Sequence, residues 1–263
     1  MNVFARIRRK LAALAEQSRR KRVLRELLEK SREPLRRVGT SYGGWVVPES
    51  SLLAGKTAVC VGAGEDISFD VALNRMGLRV FTVDPTPRAA AHVRQVLAAA
   101  ASGVPVSIDN SPTEHYDLQG FDAGRFTFLE LGLSDKNSTL RFWAPKNAKH
   151  VSHSLVNLQH TDKFFEARCV RLQDLCADQG IEAIEILKLD VEGAEYAVLA
   201  DLLAGQLRPR VVCIEFDEGC NPQDGGYLQR IADAAGQMKQ GGYRLVHIDS
   251  WNFTFVLGAL GGA

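Results

Sequence analysis

The apolar run EILKLD ends in Asp190, with Lys188 two residues before it and Glu192 and Gly193 just after. Charge at every second position of a strand-like run is uncommon, so these residues need a task. Carboxylates gathered at such an end can take the proton of a hydroxyl, hold a cationic group or gather a divalent metal. The spacing does not choose among these, and no metal is assigned. A second apolar run, RVVCIEF, carries Glu215 near its end and is followed by Asp217 and Glu218, with the same range of uses. Asp190 also has a plainer reading, as the N-cap of the helix that follows. Lys188 lies on the same strand face, and a partly buried Lys–Asp pair is the simplest reason to keep it. In the polar segment KHVSHSLVN, His153 and Ser154 are of the right type for a base and a hydrogen-bonding group, although a lone loop histidine is more often a surface residue.

Earlier in the chain, VCVGAGEDISFD reads as a strand, a glycine turn and a helix, followed by a second strand ending in VDPTP. Gly62 and Gly64 allow a sharp turn and the close approach of a ligand to Ala63 and its neighbours. Asp84 follows Gly62 by 22 residues, where an acid accepts hydrogen bonds from the ribose hydroxyls of an adenosine-containing cofactor. A dinucleotide site would want a small residue where Ile67 stands, and its pyrophosphate would meet Glu65 and Asp66. S-adenosyl-L-methionine carries an ammonium and a sulfonium instead, which acids at the turn attract. The two acids also suit the positive end of the following helix, worth about 0.3–1 kcal/mol each.

Alternating strand and helix patterns from Thr57 onward position these groups. Strands are expected at TAVCV, LRVFTVD, RFTFLELGLSD, TLRFWAP, ARCVRL, IEILKLD and RVVCIEF, with a closing antiparallel pair at YRLVHID and NFTFVLG. Helices are expected at Phe69–Met76, Ala89–Ala100, Ala194–Leu203 and Leu228–Lys239. Repeated strand–helix–strand units imply an α/β three-layer Rossmann-like sandwich, a mostly parallel sheet covered on both faces.

These segments in order, VGAGEDISFD, VDPTP, LGLSDKNSTLRF, LKLDVEGAEYAVL and VVCIEF, carry a likeness to a known family. From about Gly55 to the C-terminus the chain resembles the FkbM-type family of class I S-adenosylmethionine-dependent methyltransferases, which is marked by a Lys-x-Asp-x-Glu-Gly core. The GEDISFD loop looks like a subgroup variant, since many members carry a further Gly or Asn there. The resemblance implies a seven-stranded sheet of order 3-2-1-4-5-7-6 with an antiparallel last strand. It also implies S-adenosyl-L-methionine across the carboxyl ends of strands 1, 2 and 4. Gly62, Ala63, Gly64, Glu65 and Asp66 would then face its methionine part, Asp84 its ribose, and residues from Glu130 to Leu133 its adenine. Asp190 would stand beside the methyl group, as cofactor ligand and first candidate for the base; His153 is the second candidate. Ser154, Glu192 and Glu215 would meet the acceptor.

The 263 residues carry a formal charge of +1, 46% hydrophobic and 24% charged residues, as expected of a soluble α/β domain. That charge hides an asymmetry: residues 1–37 sum to +9 and the rest to about −8. A basic helical arm (1–37), a linker (38–56) rich in Gly, Pro and Ser, and a methyltransferase domain (57–263) are expected. The arm reads as helices packed on the body or a partner protein, or as a contact with an anionic membrane surface. Within the linker, Tyr42 and Trp45 form either a lid or an anchor. Five cysteines without a C-x-x-C pair and the lack of a membrane-length apolar run point to a cytoplasmic setting, with peripheral membrane contact open. The expected activity is methyl transfer to a hydroxyl of a sugar, glycolipid or other small molecule, the oxygen and glycan preference coming from the resemblance. An NAD(P)-dependent oxidoreductase and a non-catalytic cofactor-binding module recruiting partners through the arm are its rivals. Nucleic acid is not expected as a partner, because the basic run is confined to the arm.

Overall fold

The computed structural model describes residues 17–108, 111–144, 161–191 and 193–258. Its main sheet has seven strands: β1 Thr57–Val61, β2 Arg79–Val83, β3 Phe126–Leu129, β4 Ile186–Leu189, β5 Val211–Glu215, β6 Tyr243–Asp249 and β7 Asn252–Leu257. Their order is β3-β2-β1-β4-β5-β7-β6. Every pairing from β3 to β5 is parallel, and β7 runs antiparallel between β5 and β6. This is the order that the resemblance implied, with the last strand inserted as the antiparallel one.

The central strands are covered on both faces, so each reads as a nearly unbroken apolar run. On one face Val59, Val61, Leu187, Leu189, Val212 and Ile214 share a core with α3 (Leu172–Gln179), α4 (Glu195–Ala204) and α5 (Tyr227–Gln240). On the other, Ala58, Cys60, Ile186, Val211 and Cys213 pack with residues of α1 (Ser68–Arg75) and α2 (Pro87–Ser102). α5 shows the cause most plainly, since Leu228, Ile231, Ala235 and Met238 recur at helical spacing and are buried. α2 begins with Pro87 after Thr86, whose hydroxyl accepts from the Ala89 N–H at 3.3 Å.

Two segments depart from the expected layout. A hairpin, Leu35–Val38 paired with Trp45–Pro48, spans the end of the expected helical arm and the start of the expected linker, and its Val38, Trp45 and Val47 are buried in the second core. The Thr254 hydroxyl donates to the Val46 carbonyl at 2.7 Å and ties the hairpin to β7. Its glycines and serines suggested a link, but the apolar run WVVP, buried at Trp45, Val47 and Pro48, decides its structure. The run RFTFLELGLSD is two strands, not one. β3 ends at Leu129, and Gly132–Leu133 joins a separate three-stranded sheet with Ser138–Trp143 and Phe164–Val170. The Leu129 carbonyl accepts from both Asp84 N and Leu131 N, which fixes the step between them.

The second half of the basic arm is helical over residues 17–27 and rests on the body. Leu24 and Leu27 pack against the first core. Glu29 pairs with Lys239 at 3.2 Å and Arg244 at 3.0 Å, while its N–H donates to the Leu245 carbonyl. The Arg20 guanidinium lies 3.7 Å from the Trp251 ring centroid and donates to the Ser250 carbonyl. All five cysteines are free thiols, and only Cys220 is exposed. No helix among the described residues is long and apolar enough to cross a membrane.

Candidate active site

A cavity of about 500 Å³ opens at the carboxyl ends of β1, β2, β4 and β5, where ligands bind in open α/β sheets. The glycine turn after β1 forms its floor. Gly62 (φ +90°) has no space for a side chain, since a Cβ there would lie 2.1 Å from the Asp190 carbonyl oxygen. Gly64 (φ +48°) faces the opposite situation, with nothing within 4 Å of a Cβ position. The first glycine therefore seals β1 against the end of β4, and the second leaves open space at the turn.

Asp84 holds this turn in shape. Its Oδ2 accepts from the N–H groups of Ala63 (2.8 Å) and Gly64 (3.1 Å), and its Oδ1 from the N–H (2.7 Å) and hydroxyl (2.6 Å) of Thr86. A buried carboxylate thus joins the ends of β1 and β2. The neighbouring acids are also engaged. Glu65 pairs with Arg88 at the start of α2. Asp66 Oδ1 accepts from Ser68 N at 2.7 Å, serving the first turn of α1, and its Oδ2 accepts from Thr40 Oγ1 at 2.5 Å and Gly43 N at 3.2 Å. The sequence could show these acids beside the turn, but not that Arg88 and the hairpin loop would answer them.

Lys188 is buried on the second face of β4, level with Cys60 of β1 and Cys213 of β5. Its ammonium donates to the Gly62 carbonyl and lies 3.6 Å from Asp190 Oδ2. Burial opposes its charge, but Asp190 and Asp70 outweigh that and raise its pKa. Burial pushes the Asp70 carboxyl up to about 6, and raises Asp190 as well. The Lys–Asp pair expected from the alternating pattern is present and sits directly under the glycine turn. Asp190 does not cap a helix: α4 starts five residues later after Ala194, without a side-chain cap. Glu195 instead accepts from Gly193 N at 2.8 Å.

Glu215 lines the cavity beside Asp190, because the register pairs Leu189 with Ile214 immediately before them. Leu133 lines it too, together with Gly132 and Phe142 of the small sheet. Glu130 does not reach it, and pairs with Arg94 at the surface. Glu218 turns away to Arg230 at 3.0 Å and Tyr196 at 2.9 Å. Trp45 is the anchor of its hairpin at 4% exposure, whereas Tyr42, at 68%, stands open on the cavity wall. His153, Ser154 and Glu192 lie outside the described residues. Asn252, Ser250 and Cys220 also line the cavity. They were missed because β7, the turn before it and the turn after β5 reach the site only through the fold.

Comparison with known proteins decides the family of the chain. The model of the family described as Methyltransferase FkbM domain matches residues 58–245. The chain belongs to the FkbM methyltransferase family. This FkbM protein is therefore an S-adenosylmethionine-dependent methyltransferase, and S-adenosylmethionine is its cofactor. No curated protein gives a significant match. Among solved structures, a Methanococcus jannaschii fibrillarin pre-rRNA processing protein is similar with TM-score 0.40 and 11% identity over 80% of this chain and 70% of that one. A T. thermophilus 16S rRNA N2 G1207 methyltransferase (RsmC), solved with AdoMet and guanosine, is similar with TM-score 0.37 and 13% identity. That match covers 86% of this chain and 50% of the other. The FkbM cavity suits the cofactor's charge: among the described residues, seven acidic ones line it against two basic ones, Arg88 and Lys188. Glu65 and Asp190 face these two cations and Asp249 faces Arg37, and a sulfonium and an ammonium are attracted by the acids that remain.

Proposed function

We propose that the protein transfers a methyl group to a hydroxyl oxygen of a sugar, glycolipid or other small molecule within this cavity. The observation that carries the reading is the pair Asp190 and Glu215, side by side at the ends of β4 and β5 in an acid-lined cavity. A neutral polyhydroxyl acceptor meets no repulsion there and finds carboxylates able to orient its hydroxyls. A phosphorylated acceptor or a nucleic acid would bring further negative charge into an acidic cavity.

The cofactor supplies an electrophilic methyl group bound to a positive sulfur. In this reading the backbone of Gly62, Ala63 and Gly64 lies against its methionine part. Asp84 holds the turn and faces the ribose, and Leu133 lies on the adenine side. Asp190, anchored by Lys188, places negative charge near the sulfonium. Glu65 and Asp66 act through Arg88 and the hairpin loop, shaping the turn. Holding the acceptor oxygen in line with the reacting bond then supplies much of the acceleration.

Incubation with cofactor labelled on the methyl carbon, together with polyhydroxylated sugars and glycolipids, tests this. The expected product is an alkali-stable methyl ether. Label recovered only as an alkali-labile ester or on an amine would replace the hydroxyl reading.

A further inference from the structure

The sequence favoured Asp190 as the base, but the two carboxylates at the strand ends are held differently. Asp190 faces the Lys188 ammonium at 3.6 Å. The Lys188 ammonium favours the charged form of Asp190 and offsets part of the rise that burial causes, so Asp190 takes a proton less readily than a carboxyl that no cation is paired with. Glu215 has no cation within ion-pair distance among the described residues, and its one hydrogen-bond contact is the Cys220 thiol at 3.9 Å. Lys188 and Asp190 face it from β4, Asp217 and Cys220 from the turn after β5, and Glu195 from the start of α4. Asn252 of β7 is its register partner. Only Lys188 among these is positive, and its ammonium is directed to Gly62 and Asp190.

We propose that Glu215 is the proton acceptor in methyl transfer, and that it becomes a carboxylate by releasing its own proton when the cofactor's sulfonium enters. This rests on the methyl transfer to a hydroxyl proposed above. In the step, the hydroxyl oxygen forms the new O–CH3 bond as the S–CH3 bond breaks. The S–CH3 electron pair stays on sulfur, and the hydroxyl proton passes to Glu215 and afterwards to water. Burial, then the Asp190 charge, pushes the Glu215 carboxyl up to about 8. It is thus protonated at neutral pH in the absence of a ligand cation, and a positive charge beside it lowers that value. Asp190 is assigned the separate task of holding negative charge near the methyl group.

Calorimetric titration in two buffers of different ionisation enthalpy reads the proton directly. At pH 7, S-adenosylmethionine should release about one proton per molecule bound, and S-adenosylhomocysteine, which lacks the sulfonium, far less. Affinity for S-adenosylmethionine should tighten as pH rises toward 8 and then level off, because binding that releases a proton is favoured by its scarcity. Glu215→Gln should retain binding and lose the release. Equal release with both ligands, none with either, or undiminished release in Glu215→Gln would overturn the assignment. The comparison of the two ligands on the wild-type protein stands even if the variant does not fold. No binding of either ligand would instead overturn the methyl-transfer reading beneath it.

Discussion

Replacing Asp84 with Ala should weaken S-adenosylmethionine binding by at least about 100-fold, the equivalent of two charge-assisted hydrogen bonds. The effect has two sources. Asp84 takes four donors from the ends of β1 and β2, including both N–H groups of the glycine turn. Its removal leaves those buried donors without their acceptor and frees the turn that forms the cavity floor. It also removes the acid proposed to meet the ribose. Asp84→Asn should be weakened too, because an amide presents one acceptor oxygen and turns two further donors toward groups that already donate. Calorimetry with S-adenosylmethionine checks both variants, and wild-type affinity in Asp84→Ala would remove this residue from the site.

Lys188→Met should destabilise the fold by up to about 3–5 kcal/mol, the range for losing one partner of a buried ion pair, since Lys188 is buried while the Asp190 side chain is one-third exposed. The methionine keeps nearly the length of the aliphatic stem, so the loss is mainly one of charge. Without the ammonium, Asp70 and Asp190 lack their shared counter-charge, and the Gly62 carbonyl lacks its side-chain donor. Thr82 would still donate to Asp70 at 2.6 Å. The defect should also depend on pH. Burial raises both carboxyls above their unfolded values, so the folded state binds more protons than the unfolded chain between those limits. Stability is then lost as pH rises through the folded values and recovers as it falls. Lys188→Met should therefore lie closer to wild type near pH 5 than near pH 8 in urea denaturation. A variant of wild-type stability at both values would show that Lys188 does not carry the charge balance of this strand.

The strands were legible because parallel strands buried on two faces leave long apolar runs, and the sheet order followed once the family resemblance fixed it. Lys188 was legible for the opposite reason, as a charge that such a run does not explain. Its partner Asp190 followed from a spacing of two, and the capping alternative failed because α4 begins too late. The hairpin was hidden by composition: Gly43 and Gly44 look like a linker, while only contact with Asp66 and the second core shows that they belong to a fixed loop. Glu65 showed its charge in the sequence but not its answer from Arg88, since α2 reaches the turn only when β1 and β2 pair. Glu215 was read as an acceptor contact. The proton-acceptor role proposed for it rests on a comparison that needs three dimensions, namely which of two adjacent acids the lysine faces.

The central claim is that the cavity at the ends of β1, β2, β4 and β5 is where the methyl group is transferred. A crystal structure of the complex with S-adenosylhomocysteine tests it most directly. The account predicts density lying along Gly62–Gly64 and Asp84, with the sulfur on the side of Asp190 and Glu215. Density for the ligand elsewhere on the protein, with this cavity holding only solvent, would contradict it.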